Sequence, residues 1–168
     1  MKILWYKSIY YIYVVIFSKS CMNRKMKIQK VFLASDHAGF LLKQTISNFL
    51  KRKGIKILDL GPENKNSVDY PDFAHLLAKK MNGKKNNMGI LVCGSGEGMT
   101  MAANRHKNIR AALCYNIKST KLSRMHNNAN VIAIGSRLTK KNIALKCVNT
   151  FLNTPFEGGR HLKRIKKI

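Results

Sequence analysis

Gly89-Ile90-Leu91-Val92-Cys93-Gly94-Ser95-Gly96-Glu97-Gly98 decides how this chain folds. A short apolar run with no polar interruption is the pattern of a strand buried on both faces, and glycines crowd in directly after it. Met99, Ala102 and Ala103 then recur at helical spacing. Strand, glycine turn, helix is the repeating unit of a parallel α/β protein.

The same unit recurs on either side. Val31 to Ala34 is a strand that runs into Ser35-Asp36-His37-Ala38-Gly39, and Phe40, Leu41, Leu42, Ile46, Phe49 and Leu50 mark a helix that stops at Lys53-Gly54. Ile55 to Leu60 reads as a strand, Gly61 to Pro71 as a polar loop and Asp72 to Met81 as a helix. Downstream, Arg110 to Cys114 and Val131 to Ile134 are strands, while Ser119 to His126 and Lys140 to Leu152 are helices. The pattern predicts a parallel sheet of five strands with helices on both faces, whose ligands bind outside the carboxyl ends of the strands.

Composition allows one domain. At 168 residues, with 45% hydrophobic content and three prolines, the chain can bury a core without staples and is no disordered basic tail. Lys+Arg of 32 against Asp+Glu of 7 gives +25, which taken alone suggests a nucleic-acid or membrane-surface binder. The basic residues are scattered rather than gathered in a stripe, and no helix-turn-helix or aromatic stacking platform accompanies them. No specific nucleic acid is expected, only weak salt-sensitive adsorption. Cys21, Cys93, Cys114 and Cys147 form no CxxC pair and no metal-ligand spacing, so a reduced, cytoplasmic setting without metal is expected.

Residues 1–25 differ from the rest. Lys2, Lys7, Lys19, Arg24 and Lys25 flank an apolar run from Ile9 to Phe17 that is too short to span a bilayer. Ser18-Lys19-Ser20-Cys21 lacks the small-residue pattern of a cleavage site. The folded domain is expected over 26–168, beginning near Met22 or Met26, with 1–25 as an extension outside the fold; a targeting or tethering segment is the alternative.

The strand ends collect the chemistry. Asp36-His37, the loop Cys93 to Gly98, and Gly135-Ser136-Arg137 each follow a strand, and His126-Asn127, close in sequence to the last strand, is expected at the same edge. The glycine loop is neither GxGxxG nor a phosphate-binding P-loop. It still brings backbone N–H groups close to a ligand, although a tight turn alone would need the same glycines. Cys93 is either a thiol activated by those N–H groups or a small buried hydrophobe, and the residues alone leave both open. Cys114 and Cys147 read as core. Arg160 and Arg164, four apart, would share a helix face able to clamp a phosphate, or be a solvated basic face. His75 and His106 read as surface residues.

Taken in order, Ser35-Asp36-His37-Ala38-Gly39, Asp69-Tyr70-Pro71, Cys93-Gly94-Ser95-Gly96, Ala102-Ala103-Asn104-Arg105, Ile109-Arg110-Ala111-Ala112, His126-Asn127-Asn128-Ala129-Asn130, Gly135-Ser136-Arg137 and Glu157-Gly158-Gly159-Arg160-His161 resemble the type B ribose-5-phosphate isomerases over about 26–168. The resemblance implies a Rossmann-like three-layer α/β/α sandwich. It implies interconversion of D-ribose 5-phosphate and D-ribulose 5-phosphate in the pentose phosphate pathway, with no metal or organic cofactor. It also implies a homodimer, or a dimer of dimers, with each active site shared between subunits.

By that resemblance Cys93 is the base that moves a proton between C2 and C1, and Ser95 with the turn Gly94, Gly96, Glu97 and Gly98 holds the developing oxyanion. His126 would open the sugar ring, which imidazole suits through its ordinary pKa of about 6.5. Asp36 would hold sugar hydroxyls or assist ring opening, Asn127 would contact substrate, and His37, Arg137, Arg160 and Arg164 would bind the phosphate. Some members place a glutamate one residue past the glycine loop where this chain has Met99, so the chain falls with the cysteine-using branch. The alternatives are an isomerase of a six-carbon sugar phosphate, allose or galactose 6-phosphate, and a sugar-phosphate or nucleic-acid binder that has lost the chemistry.

Overall fold

In a computed structural model, which describes residues 28, 30–81 and 86–168, five parallel strands form one sheet. The strands are β1 (Lys30–Ser35), β2 (Ile57–Asp59), β3 (Asn87–Cys93), β4 (Ala111–Leu113) and β5 (Val131–Gly135). They lie in the order β2-β1-β3-β5-β4. The helices are α1 (Phe40–Arg52), α2 (Tyr70–Met81), α3 (Glu97–Ala103), α4 (Ile117–Asn127), α5 (Lys141–Asn153) and α6 (Arg160–Ile165). Residues 1–25, including Cys21, lie outside the described residues.

Every residue of β3 and β5 is buried, as continuous apolar runs between two helical layers must be. Alternation along β1 sends Val31 and Leu33 to one face and Phe32 and Ala34 to the other. The first face packs on Leu42, Ile46 and Leu50 of α1 and on Ala144, Val148 and Phe151 of α5. The second packs on Ala74, Leu77 and Met81 of α2 and on Met99, Ala102 and Ala103 of α3. The result is the expected three-layer sandwich.

Local chemistry sets the helix ends. Gly54 beyond α1 has φ +69, and Lys51 and Arg52 lie at the negative end of the helix dipole. Asn116 caps α4 by accepting from the Ser119 N–H at 2.8 Å, and Asn128 ends it with φ +46. α2 starts at Tyr70 rather than Asp72, because Pro71 is tolerated in a first turn where its missing N–H has no intrahelical partner.

The chain reverses its direction of winding between β1 and β3. β1 passes to β2 on one side, while β3 passes to β5 and β4 on the other. The crevice between the carboxyl ends of β1 and β3 is therefore the topological switch point, where ligands enter sheets of this kind.

Candidate active site

The switch point is occupied by a thiol. Cys93, the last residue of β3, is register partner to Gly135, the last of β5, while Val92 is partner to Ser35. That register sets Asp36 beside Cys93, fixed by its own N–H donating to the Val92 carbonyl at 3.1 Å. Around them is a cavity of about 270 Å³ lined by Asp36, Tyr70, Cys93, Gly94, Ser95, Gly98, Arg137 and Leu138.

Cys93 is buried, and the Gly96 N–H donates to its Sγ at 3.1 Å. Such a contact strengthens as sulfur gains negative charge. This N–H is thus committed to the thiol rather than to an oxyanion, and the Glu97 N–H is taken by Ser95 Oγ at 3.3 Å. Gly96 reaches this place only with φ +88, and it caps α3, so the helix starts at Glu97 rather than Met99. Gly135 is needed for another reason: a Cβ there would lie 2.3 Å from the Ser95 carbonyl oxygen.

The acid and cation of this edge are also held. Asp36 Oδ1 accepts the Gly39 N–H at 2.7 Å, leaving its other oxygen for a ligand. His37 Nδ1 lies 3.3 Å from both the N–H and the carbonyl of Val68, which ties the ring to the loop after β2. Arg137 lies along Gly94, its guanidinium 3.3 Å from where a Cβ would sit, so the missing side chain makes room for the cation.

Sequence reading gave Tyr70 no catalytic or binding role, although its ring lines the cavity and covers Gly98, where a Cβ would be 2.5 Å away. The pairing of a tyrosine in Asp69-Tyr70-Pro71 with a glycine in the loop was the available signal. His75 and His106 are not simply surface residues: they are half-buried, with Nδ1 of one 2.8 Å from Nε2 of the other. Burial first, then His75 and Lys79, hold His106 below its ordinary pKa.

His126 and Asn127 do not converge on this edge. They end α4, and the chain then enters β5 at Val131; Asn130 accepts from the Gly89 N–H at 2.8 Å, at the amino end of β3. A helix that returns between parallel strands finishes where the next strand begins, so closeness in sequence to β5 meant closeness to its amino end. Gly89 to Cys93 is four steps of about 3.3 Å, so the two groups lie about 13 Å apart along the sheet.

The amino edge is a cluster of its own. His126 stacks on His161, with ring centroids 4.3 Å apart and planes 8° apart. Glu157 Oε2 lies 3.8 Å from His126 Nε2 and 3.4 Å from His161 Nε2. The Glu157 N–H donates to the Met125 carbonyl, which moors this segment and α6, with Arg160 and Arg164, to the end of α4. Arg110 Nε donates to the carbonyls of Asn127 and Asn128. Fully buried Arg124 binds the Thr154 and Ala129 carbonyls, and burial first, then Arg110, pushes its guanidinium down to about 10.

Among the described residues, His126, Glu157 and His161 are the group whose ligand atoms, within 4.8 Å of one another, could meet a metal. The two rings are nearly parallel, so their in-plane lone pairs do not converge as tetrahedral zinc requires.

Fold and site together define an α/β sandwich with a thiol-centred cavity at its switch point. Residues 31–168 match the family model described as Ribose/Galactose Isomerase, and the chain belongs to that family. It is 48% identical over 142 residues to a probable ribose-5-phosphate isomerase B of Mycoplasma genitalium, covering 82% of this chain and 92% of the relative. It is 38% identical over 141 residues to the ribose-5-phosphate isomerase B of Escherichia coli, covering 84% and 95%. Among solved structures, the Mycoplasma genitalium isomerase with bound ribulose 5-phosphate is similar with a TM-score of 0.80 and 46% identity over 82% of this chain and 92% of that one.

Proposed function

We propose that this chain is an aldose–ketose isomerase interconverting D-ribose 5-phosphate and D-ribulose 5-phosphate, at a site assembled from two copies. The observation that carries the reading is the split just described. A thiol, a carboxylate and an arginine share the carboxyl-edge cavity, whereas His126, Asn127, Arg160 and Arg164 belong to the amino edge of the same chain. Neither half is complete. A symmetric pair that lays the amino edge of one copy over the carboxyl edge of the other completes two sites at once. Leu138, on the lip of the cavity, is 70% exposed, and Met101 and Tyr115 are also exposed apolar side chains that such a partner would cover.

The reaction then follows from the groups. His126 protonates the ring oxygen as its bond to C1 breaks, and the proton of the C1 hydroxyl passes to the Asp36 carboxylate to give the open aldehyde. Cys93 as thiolate takes the C2 proton, and electrons shift through the C1–C2 bond onto the carbonyl oxygen. The enediolate is held by the Ser95 hydroxyl, which accepts from the Glu97 N–H and keeps its own O–H to donate, and by the turn's N–H groups other than those of Gly96 and Glu97. Return of the proton to C1 and transfer from O2 to O1 gives the ketose. Arg137 and His37 on one copy and Arg160 and Arg164 on the other hold the phosphate. Asp36 and Asn127 orient the hydroxyls, and no metal or organic cofactor takes part.

Residues 26–168 constitute this catalytic unit in our reading, with 1–25 outside it. Among the described residues no helix is long and apolar enough to cross a membrane, and a site that depends on a free thiol suits the reducing cytoplasm. Isomerisation of ribose 5-phosphate measured beside allose 6-phosphate and galactose 6-phosphate tests the substrate; faster turnover of either hexose phosphate would replace the pentose reading. Mixing inactive Cys93→Ala with inactive His126→Asn subunits under exchange tests the shared site. Heterodimers regain one intact site, so activity should return to about a quarter of wild type; no recovery would place the whole site in one chain.

A further inference from the structure

The segment Pro155 to Gly159 brings a carboxylate to the end of α4, where the imidazoles of His126 and His161 meet. Gly158 and Gly159 have φ +71 and +52, conformations that L side chains rarely adopt, and they turn the chain so that Glu157 and His161 lie on the same side of α4's end. The backbone N–H of Glu157 is fixed to the carbonyl of Met125, the residue before His126. Its Oε2 therefore stands 3.8 Å from His126 Nε2 and 3.4 Å from the stacked His161 Nε2. Arg160 and Arg164 surround the same spot. After burial, His126 and these arginines press His161 toward its neutral form, and Glu157 opposes them. A group that must deliver a proton to a ring oxygen needs a counter-charge among so many cations.

We infer that Glu157 is a positioning residue for ring opening: it holds His126 against His161 in the orientation that the furanose requires. Glu157 itself touches neither the substrate carbons nor the thiol. The inference rests on the isomerase reading given above, and its test separates the two. Ribulose 5-phosphate has its C5 oxygen esterified and cannot close a furanose, so exchange of its C1 hydrogen with solvent deuterium reports Cys93 chemistry without any ring step.

In Glu157→Gln, with EDTA present throughout, kcat for ribose 5-phosphate should fall about tenfold or more, part of the effect a general acid supplies. KM should stay within about threefold, and deuterium exchange into ribulose 5-phosphate within about twofold of wild type. Glu157→Asp, which keeps the charge on a shorter arm, should regain part of the lost kcat. Equal loss in turnover and exchange would make Glu157 a general structural residue and overturn the inference, as would full turnover in Glu157→Gln. Wild-type protein that shows neither turnover nor exchange would remove the isomerase reading and this role with it.

Discussion

The two edges of the sheet are built by different means. At the carboxyl edge the backbone does the work: the Ser136 and Arg137 N–H groups donate to the carbonyls of Cys93 and Gly94 at 2.8 and 3.0 Å. Gly39 and Gly135 sit so close to neighbouring carbonyls that a Cβ would approach within 2.2 and 2.3 Å. At the amino edge side chains do it, with Arg110, Asn130, Glu157 and the stacked pair His126 and His161 holding one another, His126 and Glu157 more than a third exposed. The difference matches the demands on each edge. In the proposed reaction, proton abstraction from carbon tolerates little misplacement, whereas the phosphate-binding arginines of the amino edge can close on a ligand.

Four variants or conditions put that contrast under strain. Cys93→Ala should lower kcat by about 100- to 10,000-fold while phosphate-ligand binding survives, and retention of more than a few per cent of activity would take the base role from it. Gly135→Ala drives a methyl at the Ser95 carbonyl and should cost about 1–3 kcal/mol in urea unfolding, with activity lost alongside; an unchanged midpoint would show the carboxyl edge to be softer than its contacts indicate. Arg160→Ala at the amino edge should leave the fold intact and raise KM about tenfold, and an unaltered KM would return that arginine to the solvent.

The smallest effect is that of pH on stability. Folding holds His106 and His161 below their ordinary 6.5, in both cases through burial first. The unfolded chain therefore binds more protons than the folded one in the window below 6.5, and stability falls as pH is lowered through it. His106→Gln should flatten the dependence of the urea midpoint between about pH 7.5 and about pH 5.5. An unchanged slope would locate the acid sensitivity elsewhere, with the amino-edge pair as the next group to test.

The carboxyl edge was legible in the sequence because its parts are contiguous. Buried parallel strands are unbroken apolar runs, and the residues after them, Asp36, Cys93 to Gly98 and Arg137, are delivered to one edge by topology alone. The amino edge was harder to read, because its partners come from segments that periodicity does not link. His126 was recognisable as the end of a helix, but its stacking on His161 and its approach to Glu157 depend on how the two glycines after Glu157 turn the chain. The mutual contact of His75 and His106 was hidden for the same reason, each lying on a different segment 31 positions apart.

The strand order sets a timetable for assembly. β4 has β5 as its parallel neighbour, and β5 also covers the open side of β3, so the central strand stays unflanked on that side until residues 131–135 arrive. During synthesis the thiol-bearing turn after β3 must wait for its lid, because Gly135 and Ser136 are what close over Ser95 and Cys93. Nascent chains arrested before Val131 should accordingly expose Cys93 to alkylation, and chains extended past α5 should protect it. The thiol-bearing turn is thus closed only after β5 is made, and the nascent chain carries an unshielded thiol from the addition of Cys93 until Gly135 and Ser136 arrive.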